Sequence, residues 1–192
     1  MARKAFYFDQ TACVGCRACQ IACKDKMEAE LQAGVFYREV KHYETGSFPK
    51  VGRFSVSMSC NHCENPACVA VCPQKAIYKA EDGTVLQDAS LCIGCGACAA
   101  ACPYGAPQVV NNKMAKCDGC AARVAKGENP LCVDACTSRA LDFGEYDELV
   151  AKYGSDLVSD LSVLPESKTT GANLLIKARA CALEGEAREL YL

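Results

Sequence analysis

Apolar and polar residues first alternate at the N-terminus, where Met1-Ala-Arg-Lys-Ala-Phe-Tyr-Phe-Asp reads as a charged start on a short strand. Val35-Phe-Tyr-Arg-Glu-Val-Lys-His-Tyr alternates next, a turn is expected at Thr45-Gly46, and Phe54-Ser-Val-Ser-Met alternates again. Residues 31–59 therefore predict a β-hairpin insertion. Ala76-Ile-Tyr-Lys and Thr84-Val-Leu flank Glu81-Asp-Gly, the Asp-Gly signal of a second hairpin. Helix formers follow each other in Arg17-Ala-Cys-Gln-Ile-Ala-Cys and in Ala97-Cys-Ala-Ala-Ala-Cys, and a short strand is expected near Arg139-Ala-Leu-Asp-Phe. Residues 145–160 predict a helix, with Glu145-Tyr-Asp-Glu-Leu-Val-Ala-Lys-Tyr ending at Gly154. The tail from Leu161 reads as mostly extended, with Asn173-Leu-Leu-Ile-Lys as a candidate edge strand. Short helices and hairpins in this mixture predict an α+β fold.

Composition narrows the function. Of 192 residues, 51% are hydrophobic and 23% charged, a globular balance. The formal net charge is −2, so no basic field exists to hold nucleic acid. Cys13 arrives too early to leave room for a signal peptide's apolar region. No window of 18 uncharged apolar residues occurs, so no spanning segment of the chain's own is expected.

The outlier is cysteine, at 17 residues. Sixteen fall into four quartets: Cys13, Cys16, Cys19 and Cys23; Cys60, Cys63, Cys68 and Cys72; Cys92, Cys95, Cys98 and Cys102; Cys117, Cys120, Cys132 and Cys136. The third has the C-x2-C-x2-C-x3-C-P spacing of bacterial ferredoxins. Cys181 is left over and reads as an ordinary free thiol. Disulfides suit small secreted domains that cannot build a core, whereas this chain can build one. Zinc combines two ligand pairs around one tetrahedral ion. Three thiolates on one loop instead suit three corners of an iron–sulfur cube, with the fourth, beyond the x3 gap, ligating a different cluster. Four quartets imply four [4Fe–4S] clusters.

The intervening residues agree. Gly15, Gly94, Gly96 and Gly119 lack a Cβ, which lets backbone N–H groups curl around sulfur. Cys19 and Cys23 lie one helical turn apart, so both can point inward. Pro73 and Pro103 stop the helix directly after the last ligand, while the first and fourth quartets have Lys24 and Thr137 there. Four oxidised clusters with their thiolates add about −8, taking the loaded chain to about −10. Lys24, Lys26, Lys75, Lys79, Lys113, Lys116, Arg123 and Arg139 flank the quartets and could soften that repulsion, though most read as solvated cations.

Other motifs do not survive their context. Gly94-Cys-Gly-Ala-Cys-Ala fits a dinucleotide pattern, but two of its variable positions are cluster cysteines. Glu64 rather than His follows Cys60-x2-Cys63, which leaves covalent haem unsupported. His42 and His62, the only histidines, are too far apart for a Rieske pair. His62 is placed to donate a hydrogen bond near a cluster, and His42 reads as a surface strand residue.

Ser59-Cys-Asn-His-Cys-Glu-Asn-Pro-Ala-Cys, Cys92-Ile-Gly-Cys, Cys102-Pro-Tyr-Gly-Ala-Pro-Gln, Lys116-Cys-Asp-Gly-Cys and Ala140-Leu-Asp-Phe-Gly extend beyond what ligand spacing requires. On these strings, over nearly its whole length, the chain resembles the four-cluster iron–sulfur subunits of dimethyl sulfoxide reductase-type molybdopterin oxidoreductases. The resemblance implies two ferredoxin-like modules, residues 1–30 with 103–144 and residues 60–102, with the 31–59 insertion and a C-terminal helix and docking tail over 145–192. It also implies crossed ligation. Cys13, Cys16 and Cys19 would share a cluster with Cys136, and Cys117, Cys120 and Cys132 one with Cys23. Cys60, Cys63 and Cys68 would go with Cys102, and Cys92, Cys95 and Cys98 with Cys72. Thr137 replaces the proline common at that place.

The implied role is a non-catalytic relay between a quinol-reactive membrane anchor and a large bis-molybdopterin (bis-MGD) catalytic subunit. The implied location is a peripheral membrane complex, extracytoplasmic through co-export with a partner bearing a twin-arginine signal, with a cytoplasmic location as the alternative. A free polyferredoxin acting as a mobile carrier is the competing function, and a zinc-binding interaction module a remote third. No nucleophile with a base and no carboxylate pair is evident, so no catalytic residue is expected.

Overall fold

The computed structural model describes residues 3–26 and 33–191. The expected roles of residues 1, 2, 27–32 and 192, including the junction between the first cluster segment and the insertion, lie outside the described residues. In chain order the strands are β1 (Lys4–Asp9), β2 (Glu39–Ser47), β3 (Lys50–Met58), β4 (Ile77–Lys79), β5 (Val85–Gln87), β6 (Gln108–Val110), β7 (Lys113–Ala115), β8 (Leu141–Glu145), β9 (Leu174–Lys177) and β10 (Ala187–Leu190). The helices are α1 (Ala18–Lys26), α2 (Ala67–Ala70), α3 (Ala97–Ala101), α4 (Ala121–Val124), α5 (Leu131–Asp134), α6 (Tyr146–Tyr153) and α7 (Ala180–Leu183).

β1 is the centre of a three-stranded sheet in the order β8-β1-β9. It pairs antiparallel with β8, Phe6 opposite Phe143, and parallel with β9, Phe8 opposite Ile176. Both its faces are covered, which explains the unbroken apolar run Ala5-Phe-Tyr-Phe. Phe6 and Phe8 enter the main core with Tyr37, Val40, Phe54, Val56 and Ile176. Ala5 and Tyr7 face the other way, onto Leu149 and Leu175. There α6 closes the sheet, and Tyr7 stacks on Tyr153 at 3.6 Å. The Asp147 and Glu148 carboxylates begin α6 and Lys152 ends it, each matching the helix dipole. Gly154, at φ +95°, terminates it.

A second sheet, in the order β10-β2-β3, carries the long hairpin. Three details depart from the sequence reading. The hairpin turns at Phe48-Pro49, with Ser47 opposite Lys50, because the ladder continues straight through Thr45 and Gly46. The helix expected over 145–160 stops at Tyr153, and Val158 bridges Ile176 instead. The tail is less extended than expected: it holds a 3-10 turn over Ser167–Thr169 and α7, and its last strand, β10, completes the hairpin sheet. The candidate edge strand is β9; it ends its sheet, yet Ile176 is 0% exposed because the Val158 segment lies over it.

The small hairpins serve the cysteine loops. β4 and β5 pair as expected from Asp82-Gly83. β6 and β7 form a hairpin that the sequence reading missed, turning through Asn111 and Asn112, both at positive φ. Ile77, Val85 and Met114 from these hairpins make a compact second core with Cys68 and Cys98. Among the described residues, no helix is long and apolar enough to cross a membrane.

Candidate metal centres

Each quartet begins on a loop and ends on or just past a short helix. Pro66 and Pro130 precede α2 and α5 with φ of −71° and −54°, pre-setting the chain for the helical turn. Gly96, at φ +76°, starts α3, and Cys102 caps it. The helices then pack in pairs, α1 against α5 and α2 against α3. First and fourth quartets are thereby brought together, as are second and third.

Three small pockets follow from this packing. One is lined by Cys92, Cys95, Cys98 and Cys72. A second is lined by Cys117, Cys120, Cys132 and Cys23. A third is lined by Cys60, Cys63, Cys68 and Cys102. The remaining four cysteines also meet: Cys13 lies in the electrostatic field of Cys19, Cys136 and Cys16. Every group thus combines three sulfurs of one quartet with the last sulfur of another. Cys181 belongs to none of them; it is a half-buried free thiol beside Gly52 and Arg53.

Backbone amides are aimed at the sulfurs. Gly15 donates to Cys13 Sγ (3.4 Å), Gly119 to Cys117 (3.4 Å), Ala76 to Cys72 (3.3 Å), Met114 to Cys92 (3.2 Å) and Ala140 to Cys136 (3.1 Å). Gly15 and Gly119 reach this geometry with φ of +71° and +66°. Hydroxyls join them. Thr170 Oγ1 donates to Cys63 Sγ at 3.2 Å, Ser57 Oγ lies 3.4 Å from Cys19 Sγ, and Thr137 Oγ1 lies 3.7 Å from Cys16 Sγ. Thr137, where a proline is common, therefore supplies a polar contact to a cysteine.

The buried thiols are poor anions on their own. Burial pushes Cys23 and Cys63 up to about 11 and Cys68 up to about 12, with neighbouring sulfurs adding to the rise. Cys117 is raised further by burial and by Cys60. The exposed Cys16 moves down, stabilised by the Ala18 amide and the Thr137 hydroxyl. Thiolates gathered in such sites need a positively charged core between them. Among the described residues, no three or more His, Cys, Asp or Glu side chains close on a single metal ion; the sulfurs instead stand around a cavity. Four cysteine sulfurs converging on each pocket, with backbone amides aimed at the sulfurs, fit a [4Fe–4S] cube.

The charged neighbours sort themselves. Lys116 is buried, donating to the carbonyls of Val85 and Cys117. Lys26 lines the cavity of Cys23 and pairs with Asp118 at 3.9 Å. Arg123 pairs with Glu128 and Asp134 at the surface. Arg38, absent from the sequence reading, is buried against the same cavity as Lys26. The only sequence signal was a polar position inside an alternating strand.

Both histidines are buried. His62 Nδ1 accepts from the Val85 amide at 2.9 Å, and its Nε2 has no hydrogen-bond partner among the described residues. Burial, then the charges of Lys116 and Arg38, hold His62 well below the usual histidine range. The surface reading of His42 is overturned: it is 4% exposed, bonded to Ser55 Oγ at 3.0 Å and covered by the first cysteine loop at Gly15. An alternating strand exposes one face only until another loop packs on it.

Two family models match the chain: a 4Fe-4S dicluster domain over residues 51–146 and a 4Fe-4S binding domain over residues 10–29. The chain is 45% identical to the B subunit of the anaerobic dimethyl sulfoxide reductase of Escherichia coli over 185 residues, covering 91% of this chain and 88% of the relative. It is 43% identical to the Haemophilus influenzae protein of the same name, covering 92% and 90%. It is 39% identical to the B subunit of the polysulfide reductase of Wolinella succinogenes, covering 92% and 95%.

Proposed function

The chain belongs to the family of iron–sulfur subunits of dimethyl sulfoxide reductase-type oxidoreductases, and from that premise we propose that it carries electrons through a row of four [4Fe–4S] centres. The proposed ligands are those grouped above. Cys13, Cys16, Cys19 and Cys136 hold the first centre, and Cys23, Cys117, Cys120 and Cys132 the second. Cys60, Cys63, Cys68 and Cys102 hold the third, and Cys72, Cys92, Cys95 and Cys98 the fourth. A bound cluster supplies one-electron storage at its site.

The observation that carries the reading is the order of the sites. α1 and α5 each contribute to the first and second centres, and α2 and α3 adjoin the third and fourth. Cys117 and Cys60 belong to one buried core, which supports a row with the second and third centres as neighbours. The row then ends at the first and fourth centres. Those are the ones with an exposed cysteine, Cys16 and Cys95. Beside them stand exposed apolar side chains, Val14 at 72% and Ile93 at 61%. Buried middle centres and apolar, exposed ends suit a relay that meets a donor at one end and an acceptor at the other.

In this reading residues 1–30 with 103–144 form one ferredoxin-like module and residues 60–102 the other, with the β6–β7 hairpin reaching across: Met114 packs with Cys68 and Cys98. The partners are a large bis-molybdopterin catalytic subunit and a quinol-reactive membrane anchor. The chain itself performs no substrate chemistry. The complex is peripheral to the membrane, on the side to which a twin-arginine-bearing partner carries it. Anaerobic native purification tests this: the chain should co-purify with a molybdopterin protein and carry about 16 iron and 16 sulfide. A free monomer at normal abundance would indicate a mobile carrier, and stoichiometric zinc with negligible iron would overturn both.

A further inference from the structure

Arg38 is the bulkiest of the fully buried side chains, at 2% exposure. Its Nη1 donates to the Ser57 carbonyl and hydroxyl, each at 3.1 Å, and its Nη2 to the Ser59 hydroxyl at 2.8 Å. The guanidinium lies 4.4 Å over the Phe6 ring. Its Nε is buried with no hydrogen-bond partner among the described residues. Among those residues no carboxylate pairs with it, and the charges that act on it most strongly are the sulfurs of Cys132, Cys19, Cys117 and Cys23. A buried guanidinium is costly unless opposite charge sits close by. Here the opposite charge is sulfur.

The position is central. Arg38 lines the cavity of Cys23, Cys117, Cys120 and Cys132 directly. Through Ser57 it reaches Cys19 of the first centre, and it bonds directly to Ser59, the residue before Cys60 of the third. Ser57 in β3 and Ser59 just past its end hold the buried guanidinium through three hydrogen bonds, so its charge stays away from water.

We infer that Arg38 is a fixed positive charge that raises the reduction potential of the centre held by Cys23, Cys117, Cys120 and Cys132, and so sets how readily electrons pass the interior of the row. The inference rests on the cluster reading above. Reduction adds one electron to that centre, from a neighbouring centre or from dithionite in a titration; no bond forms or breaks. Arg38 stays protonated throughout, because guanidinium does not titrate in the working range. The effect is therefore independent of pH. Burial also keeps salt from screening it. A unit charge this close, at an effective dielectric of about 20, changes the reduction equilibrium by about one to two powers of ten.

The test is an EPR-monitored redox titration of the intact complex carrying Arg38→Met or Arg38→Lys, with iron counted in the same samples. Arg38→Met keeps the stem that packs on Phe6 and removes the charge. One centre should become at least tenfold harder to reduce, a fall of about 59 mV for one electron, equally at pH 6.5 and 8.5. Arg38→Lys keeps the charge and should stay within threefold of the parent. Full iron with a parental potential in Arg38→Met would overturn the inference while leaving the cluster reading intact. Equal shifts in both variants would overturn it too, because packing rather than charge would then be the cause. If Arg38→Met loads poorly, the inference stands only if Arg38→Lys loads to the parental level at a near-parental potential. Absence of iron from the parent complex would instead sink the cluster reading.

Discussion

Gly94 and Gly96 sit in one cysteine loop, both left-handed, at φ +68° and +76°, and alanine should separate two effects there. A Cβ at either position pays the left-handed penalty of about 1–2 kcal/mol. At Gly96 little else happens, since the nearest atom is Val109 Cγ2 at 3.9 Å. At Gly94 the new carbon would stand 2.3 Å from the Asn112 carbonyl oxygen and 2.8 Å from its carbon. Those are backbone atoms in the β6–β7 turn, so relief requires the hairpin to back away. It is tied to the loop by the Met114 amide on Cys92 Sγ at 3.2 Å and by Lys113 Nζ on the Cys92 carbonyl. Losing one such bond costs about 0.5–1.5 kcal/mol. Gly94→Ala should therefore cost about 3 kcal/mol against about 1.5 for Gly96→Ala. The difference of about 1.5 kcal/mol is a little over a tenfold ratio of rates. The assay is the half-life of the visible absorbance in the anaerobic complex at fixed temperature, with iron retained counted afterwards. Equal half-lives for the two variants would refute the claim that the hairpin braces this loop.

Cys102→Ser should disturb the centre of Cys60, Cys63 and Cys68, removing about one to four of some 16 irons, and Cys72→Ser should disturb that of Cys92, Cys95 and Cys98. A crystal structure of either variant phased on iron decides it, and damage to the loop beside the mutated residue would overturn the crossed grouping. Cys181→Ser should leave iron content and electron transfer at the parental level; loss of one centre's iron would show that the groups are drawn wrongly. His42 is held below the usual histidine range by burial and then by the charges of Arg17 and Arg53. The unfolded chain binds a proton there near pH 6.5 while the folded one does not, so stability should fall as pH drops through that value. The bleaching rate should rise between about pH 7.5 and 6, less steeply in His42→Gln, with a residual slope from His62; an unchanged slope would refute the assignment.

The hairpin at Asp82-Gly83, the need for glycines in the cysteine loops and the helical turns around Cys19 and Cys98 were legible, because each is a local demand of the backbone. The β6–β7 hairpin was not, since Asn111-Asn112 lacks the glycine that usually marks a left-handed turn. Burial of His42 and Arg38 was invisible for another reason. Both lie on or beside a strand read as exposed; the first cysteine loop at Gly15 covers His42, while Phe6 and the segments carrying Cys117–Cys120 and Pro130–Cys132 cover Arg38. Long-range covering of this kind leaves no periodic trace. The end of α6 at Gly154 was readable as a stop, and extending the helix to residue 160 ignored it.

The x3 gap that ends every quartet also acts as a ruler. Cys19 and Cys23, Cys68 and Cys72, Cys98 and Cys102, and Cys132 and Cys136 are each four residues apart, about one helical turn or 6 Å of rise. In each pair the two sulfurs lie in different groups. The spacing that selects helix thus also limits how far neighbouring centres can stand apart, twice in each proposed module. Lengthening the gap by one residue would turn the last sulfur by about 100° around the helix and away from the adjoining cavity. Shortening it would do the same in the opposite sense. The spacing between modules has no such ruler. There the buried contacts of His62 against Gly119 and Phe143, and of Arg38 with Ser57 and Ser59, are what hold the second and third groups side by side. A relay along this row depends on those packed side chains as much as on its sixteen cysteines.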